Sequence, residues 1–241
     1  MKCCRRIKGN IFVLEVFFIN DDGKEDAIFP VILAAESERG ENVLVDCGYP
    51  GFLPKLEEAS ARAGFSLSAL TAVLITHHDY DHYGALSELV AKYPRVRVIA
   101  SELDAPYIEN RKKSPRLAQA EVLCERLPKS LRAEAHAFQE RLVAVKPVRV
   151  DETVRGGEVF PWCGGTEIIA TPGHMPGHIS LYVKEHGTVI TGDALVTRNG
   201  LLRIANPNYA TDAKEAKASA RKLLKLNAKR FICYHGGVFA T

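Results

Sequence analysis

The chain has 241 residues, of which 46% are hydrophobic and 25% are charged, the composition of an ordinary globular protein. Its 32 basic and 29 acidic residues leave a formal net charge of +3, so charge gives no reason to expect a nucleic-acid or acidic-membrane partner. The apolar stretch at 11–19 contains Glu15 and is too short to span a bilayer, and no small-residue cleavage site follows it. We therefore expect a cytoplasmic protein.

The six cysteines form no CxxC pair, so zinc-finger spacing is absent. Because we find no export signal, we expect reduced thiols that mostly pack as small hydrophobic side chains. The residues concerned are Cys3, Cys4, Cys47, Cys124, Cys163 and Cys233.

The first hundred residues alternate between strand patterns and helix patterns. Short aliphatic and β-branched runs predict buried strands, whereas apolar residues spaced three and four apart predict helices. The predicted strands are 11–19, 28–35, 42–46, 72–75 and 96–100, and the predicted helices are 53–63 and 85–93. This order indicates α/β layering.

Residues from about 101 to 143 break this rhythm, because they are charged, helical in pattern and interrupted by Pro106, Pro115 and Pro128. They predict two amphipathic helices, at 117–126 and 131–142. The pair is either a peripheral addition or a cap that controls access to a site, and the sequence leaves both readings open.

The second half returns to strands, predicted at 167–170, 179–183, 188–190 and 231–234. A helix is predicted at 213–226, with Asp212 as its N-cap. Because no linker or shift in composition divides the chain, we expect one domain, 1–241, with a helical insertion at about 101–143.

Polar residues are concentrated where the predicted strands end. Residues 76–84 include three histidines and two aspartates directly after an apolar strand. Later loops present His174 with His178, then Asp193, then His235, each after another strand. Imidazole and carboxylate groups are ligands of borderline divalent metals, and the glycines in these loops allow sharp turns. Four such loops from separate strands predict a metal site.

These loops and Val45-Asp46-Cys47-Gly48 resemble the motifs of metallo-β-lactamase-fold hydrolases, in family order and along nearly the whole chain. The resemblance implies an α/β fold, a four-layer αββα sandwich with a dinuclear metal site at the edge between its sheets. It implies that Asp46 orients a ligand instead of binding metal. It also implies ligands for each ion: His77, Asp79 and His174 for the first, Asp81, His82 and His235 for the second, and Asp193 as the bridge.

The sequence departs from the usual family motif His-x-His-x-Asp-His, because Asp79 replaces the second histidine. We expect two divalent ions, with zinc first and manganese or iron as alternatives, since three carboxylates among seven ligands form a harder, more anionic set. The extra anionic ligand should also weaken the Lewis acidity of the first ion. Unequal occupancy, or a single ion in practice, is therefore an alternative.

Two further histidines lie inside these loops and are expected not to bind metal directly. His78 alternates with two ligands on an extended segment, so its side chain should point away from them. His178 is interpreted either as a neighbour of the ligands or as the start of the next strand.

Together the resemblance and the ligands predict a metal-dependent hydrolase. A metal-bound hydroxide would attack a small-molecule lactone, ester or thioester, with Asp81 or Asp193 transferring the proton. The alternatives are a phosphodiesterase, a mononuclear-iron dioxygenase and a non-catalytic metal-binding protein. Nucleic acid is not expected as a partner because no basic tract with interleaved aromatic residues is present, and no membrane partner is expected. A homodimer is left open.

Overall fold

The structure is a computed structural model and describes residues 5–7, 10–21, 23–37 and 40–241. Within these residues, one sheet has seven strands. In spatial order they are β1 (Arg5–Ile7), β2 (Ile11–Val13), β5 (Val31–Leu33), β6 (Val43–Val45), β7 (Ala72–Ile75), β8 (Arg97–Ser101) and β9 (Glu152–Val154). The four strands from β6 to β9 run parallel, so their carboxyl ends meet at one edge.

A second sheet of the described chain has six strands. In spatial order they are β10 (Val159–Phe160), β11 (Thr166–Ala170), β12 (Ile179–Val183), β13 (Thr188–Ile190), β16 (Arg230–Cys233) and β17 (Gly237–Ala240). Two short hairpins complete the β structure: β3 (Val16–Ile19) with β4 (Glu25–Ile28), and β14 (Val196–Arg198) with β15 (Leu201–Arg203). The helices are α1 (Leu53–Arg62), α2 (Tyr80–Tyr83), α3 (Leu86–Lys92), α4 (Ala105–Ile108), α5 (Pro115–Arg126), α6 (Lys129–Val143) and α7 (Ala213–Leu224).

The two large sheets pack face to face, and helices cover their outer faces. Successive side chains of a strand point to opposite faces, so Leu74 of β7 joins Leu181 of β12 in the core between the sheets. Val73 packs outward in the cluster that contains α1 and α3. On the other side, β13 and β16 pack against α7. The predicted four-layer αββα sandwich is confirmed.

Two predicted strands are wrong in extent. The stretch 11–19 divides into β2 and β3, which belong to different sheets. The stretch 28–35 divides around Pro30, which has no backbone N–H to contribute to a ladder. The backbone N–H of Leu14 donates instead to the carbonyl of Pro30 at 2.8 Å. Each of the two predicted strands is therefore interrupted near this hydrogen bond. Residues Ile11–Val13 and Val31–Leu33 pair in the large sheet, and residues Val16–Ile19 and Glu25–Ile28 form the separate β3–β4 hairpin.

The helical segment predicted between 101 and 143 lies between β8 and β9 and contains α4, α5 and α6.

The four cysteines in the described residues are free and buried, as predicted, whereas Cys3 and Cys4 lie outside those residues. In the described part of the chain, no helix combines the length and the apolar character needed to cross a bilayer.

Helix α7 offers a direct test of the packing. The side chain of Asp212 caps it by accepting a hydrogen bond from the backbone N–H of Glu215 at 2.9 Å. Leu223 is fully buried against the second sheet, whereas its neighbour Leu224 is 50% exposed.

We expect Leu223→Ala to lower the free energy of unfolding by about 2–5 kcal/mol, because it removes buried methyl groups and leaves a cavity. Leu224→Ala, the matched control, should cost less than about 1 kcal/mol. Urea denaturation followed by circular dichroism measures the free energy of unfolding of both variants. Equal decreases would contradict the packing of Leu223 against the second sheet.

Candidate metal centre

The buried carboxylate of Asp46, directly after β6, holds the histidines of the motif. Its Oδ1 accepts a hydrogen bond from the backbone N–H of Thr76, and its Oδ2 accepts from the Thr76 hydroxyl and from His82 Nδ1, all at 2.8 Å. Because the Thr76 hydroxyl donates to Asp46, it accepts from His77 Nδ1, which lies 3.1 Å away. Both imidazoles therefore use Nδ1 for these hydrogen bonds, and Nε2 is the ring nitrogen that each can offer to a metal.

Three groups of histidines and aspartates in the described residues bring ligand atoms within 4.8 Å of one another. We call His77, Asp79 and His174 the first half-site, and Asp81, His82 and His235 the second half-site. The third group links them and consists of His77, His82 and Asp193. The structure thus brings together all seven residues that the sequence singled out as ligands.

Asp193 lies between the half-sites, in the loop after β13. Its Oδ2 is 3.5 Å from His174 Nε2, while its Oδ1 is 3.5 Å from His82 Nε2 and 3.6 Å from His235 Nε2. Burial disfavours a charged carboxylate, but His235 and His82 outweigh burial and hold the pKa of Asp193 well below its usual value. The carboxylate is therefore ionised and faces both half-sites.

Several of these buried ligand atoms have no hydrogen-bond partner, namely His77 Nε2, His82 Nε2 and Asp193 Oδ1. Buried polar atoms left unpaired are unfavourable by about 1–3 kcal/mol each. Two imidazole lone pairs and a carboxylate oxygen that converge on one point form a donor set for a divalent cation. The residues present therefore fit a metal ion.

Asp79 has a partner that the metal motif does not supply. Arg116, in the first turn of α5, donates from Nε to Asp79 Oδ1 at 2.9 Å and from Nη2 to Asp79 Oδ2 at 2.6 Å. Only 6% of Arg116 is exposed. Burial raises the pKa of Asp79, but the guanidinium outweighs burial and holds that pKa well below its usual value.

The metal centre forms the floor of a cavity of about 1520 Å³. Helices α5 and α6 form one wall, and the loop that follows β15 forms another part of the rim. The apolar side chains of that helical wall are Ala120, Leu123, Leu127, Leu131, Ala135 and Phe138. The insertion that the sequence predicted therefore lines the cavity above the candidate metal centre.

A family model, "Metallo-beta-lactamase superfamily", matches residues 30–235. The chain belongs to this superfamily. Among its relatives, YflN of Bacillus subtilis, named "Probable metallo-hydrolase", is 28% identical over 83% of this chain and 77% of that protein. A hydroxyacylglutathione hydrolase of Synechococcus is 27% identical over 59% of this chain and 39% of that protein.

Solved structures of the superfamily share the fold. A metallo-beta-lactamase family protein from Thermus thermophilus has a TM-score of 0.68, with 22% identity over 96% of this chain and 75% of that one. At 22% identity, the similarity to this solved structure establishes the fold alone. The chemistry of the site depends on the residues of the present chain.

His178 and His78, which were not expected to be ligands, have other partners. His178 Nε2 accepts a hydrogen bond from the backbone N–H of Asp193 at 2.9 Å, and Thr171 Oγ1 lies 2.8 Å from its Nδ1. Burial, and then the nearby His174, lower the pKa of His178 to about 3, so the ring is neutral. The backbone N–H and Nδ1 of His78 lie 2.8 and 3.0 Å from Asp104 Oδ2, so this side chain points away from the centre, as predicted.

The glycine before Asp193 permits this contact. Gly192 has a φ of +51°, and a Cβ there would lie 2.7 Å from His178 Nε2. Any larger residue would push the ring away from the backbone N–H that it holds.

The sequence interpretation missed Arg116, and it assigned no role to Thr76 or Thr171. Thr76 precedes the motif and could have been noticed as a hydroxyl within reach of a buried carboxylate. For Arg116, the only signal was indirect: an aspartate in place of histidine at 79 calls for an extra cation nearby. No pattern within the chain selects this arginine over the others.

The contact between His178 and Asp193 leads to a prediction. We expect His178→Ala to weaken metal binding by about 10–100-fold, because the loop that presents Asp193 loses its anchor. Competition with a chromophoric chelator measures this affinity. His136→Ala is the control, since His136 is exposed on α6. Equal affinity in the two variants would show that Asp193 does not need the anchor.

Proposed function

We propose that this chain is a metal-dependent hydrolase of small-molecule acyl compounds, namely thioesters, esters or lactones. One observation carries the proposal: the unpaired donors His77 Nε2, His82 Nε2 and Asp193 Oδ1 converge, and Asp193 also lines a cavity with an apolar wall. Membership of the superfamily supports hydrolysis, and a relative named hydroxyacylglutathione hydrolase supports an acyl substrate.

A divalent ion held by Asp81, His82, Asp193 and His235 would polarise a substrate carbonyl and lower the pKa of a coordinated water. The protein's own residues supply the remaining requirements. Asp46 and Thr76 engage Nδ1 of the two imidazoles and leave Nε2 as the ring nitrogen for a metal, so no rearrangement is needed before binding. His178 fixes the loop of Asp193 in the same way.

Within this proposal, Asp81 is the residue that accepts and returns the proton. Its carboxylate lies at the edge of the cavity, with Oδ2 at 3.1 Å from His235 Nε2. Asp193 would serve as a ligand alone, because the surrounding imidazoles hold its pKa low and a weakly basic carboxylate is a poor proton acceptor. Asp81 would hold the ion with one carboxylate oxygen and exchange the proton with the other.

The walls of the cavity support an acyl substrate. Leu123 and Leu131 are exposed to solvent, and with Leu127 and Phe138 they offer an apolar surface above the metal centre. Arg198 and Arg203 line the same cavity. An apolar acyl group would lie against the helices, and an anionic part of the substrate would face the arginines.

The types of ligand also indicate which metals the site could bind. Imidazole nitrogens with carboxylates suit zinc, and the high share of carboxylates extends the range to manganese and iron. We propose zinc as the first metal to test, with the other two as alternatives.

Removal of the metal with a chelator should abolish hydrolysis of an acyl thioester, and zinc should restore it. Asp193→Ala should abolish turnover and lower metal content together, because it removes the carboxylate that faces both half-sites. Glu185→Ala, at an exposed acidic residue in the turn between β12 and β13, is the control. Metal content is measured by mass spectrometry, and hydrolysis by release of free thiol. Full activity in metal-free protein or in Asp193→Ala would refute the proposal.

The apolar wall leads to a separate prediction about the length of the substrate's acyl chain. Phe138→Ala should lower kcat/KM by about tenfold for a medium-chain acyl thioester and leave the acetyl thioester nearly unchanged, since only the longer chain reaches the wall. The control is Val143→Ala on the same helix, where the side chain is 68% exposed. A uniform loss across chain lengths would place the acyl group elsewhere.

A further inference from the structure

Arg116 binds the same atoms that a first metal ion would need. The first half-site offers His77 Nε2, Asp79 Oδ2 and His174 Nε2. Nη2 of Arg116 lies 2.6 Å from Asp79 Oδ2 and 3.3 Å from His174 Nε2. Zinc would need to approach such atoms to about 2.0–2.2 Å, next to a guanidinium that does not lose its proton. Two cations on one carboxylate oxygen repel each other strongly in a buried site.

The second half-site differs, because its carboxylates face imidazoles. Asp81 Oδ2 lies 3.6 Å from His82 Nε2 and 3.1 Å from His235 Nε2. Asp193 Oδ1 faces the same two rings. The Nε2 atoms of these rings are themselves metal donors, so an ion can take up these contacts, whereas the guanidinium that is paired with Asp79 has no lone pair to offer a metal.

The charges of the centre lead to the same conclusion. Asp79, Asp81 and Asp193 carry three negative charges, and Arg116 carries one positive charge. With neutral imidazoles, one divalent ion balances the remaining two negative charges. A second divalent ion would leave an uncompensated positive charge in a site that is largely buried, which is unfavourable.

Other contacts hold the guanidinium in place. Its Nη1 donates to Gln119 Oε1 at 2.9 Å, and Gln119 Nε2 donates to the carbonyl of Ala210 at 3.2 Å. The ring of Tyr209 lies 5.6 Å from the guanidinium carbon. At the start of α5, the Ser114 hydroxyl accepts from the backbone N–H of Arg116 at 3.1 Å. The guanidinium is therefore held by Gln119 and Tyr209 as well as by Asp79, and its withdrawal would break these contacts.

We propose that Arg116 takes the place of the first metal ion, so that the chain binds a single divalent ion at the second half-site and Asp193. This inference rests on the proposed metal-dependent function. The guanidinium supplies a fixed positive charge beside the ion at the floor of the cavity, and Asp79 serves as its counter-ion instead of as a metal ligand.

The test is the zinc stoichiometry of the full chain, stripped with a chelator, titrated with zinc and freed of excess by gel filtration. Wild-type protein should retain one equivalent. Arg116→Gln, which removes the charge and keeps much of the length, should retain two. Arg141→Gln should retain one, because Arg141 lines the same cavity but pairs with Asp21, away from the ligands.

Two zinc equivalents in the wild-type protein would overturn the inference and leave the metal-dependent function standing. One equivalent in a folded Arg116→Gln variant would also overturn it, because the arginine would then not be what excludes the second ion. No bound zinc in the wild-type protein would overturn the metal-dependent function together with the inference.

A second measurement needs no variant. Wild-type protein loaded with manganese should give the electron paramagnetic resonance spectrum of isolated ions at every loading. A spectrum of exchange-coupled pairs at saturation would show two adjacent ions and overturn the inference.

Discussion

The carboxylate of Asp46 accepts three hydrogen bonds inside the protein, and the arrangement of the metal centre depends on them. A buried carboxylate is tolerated only where its oxygens are well paired, and here the partners are Thr76 and His82. Asp46 follows β6 and the motif follows β7, so these bonds fix the ends of two neighbouring strands relative to each other. The orientation of His77, through Thr76, is a consequence of the same contact.

The replacement of histidine by aspartate at position 79 has an effect beyond one ligand. A third carboxylate adds a negative charge to a centre that already holds Asp81 and Asp193, and buried like charges need compensation. Helix α5 supplies it through Arg116. The helical insertion is therefore more than a wall of the cavity, because it also supplies the cation that pairs with Asp79. A shorter insertion that lacked α5 would leave Asp79 without its cation.

The sequence predicted most of the fold, and it singled out the seven candidate residues that the structure brings together. Each of them follows an apolar strand within a few residues, which is a local signal, and the resemblance to the family implied the grouping. Helix α7 was predictable from its periodicity and its cap. The bend in 11–19 was not, since it depends on a hydrogen bond between Leu14 and Pro30. Nor was the contact between Asp79 and Arg116, which are separated by 37 residues. Such pairs depend on how an insertion docks, and helical periodicity alone gives no information about docking.

Helix α5 contributes to both the floor and the wall of the cavity. Arg116 lies in the first turn of α5 and reaches the ligands, while Leu123, two turns later at about 1.5 Å per residue, faces the cavity. A substrate that packs against the wall therefore also presses on the helix that positions the guanidinium. A substitution that shifts α5 would change the shape of the apolar wall and the position of the guanidinium together. Under the proposed function, substrate selection and the electrostatics of the centre would therefore be coupled through the position of this helix.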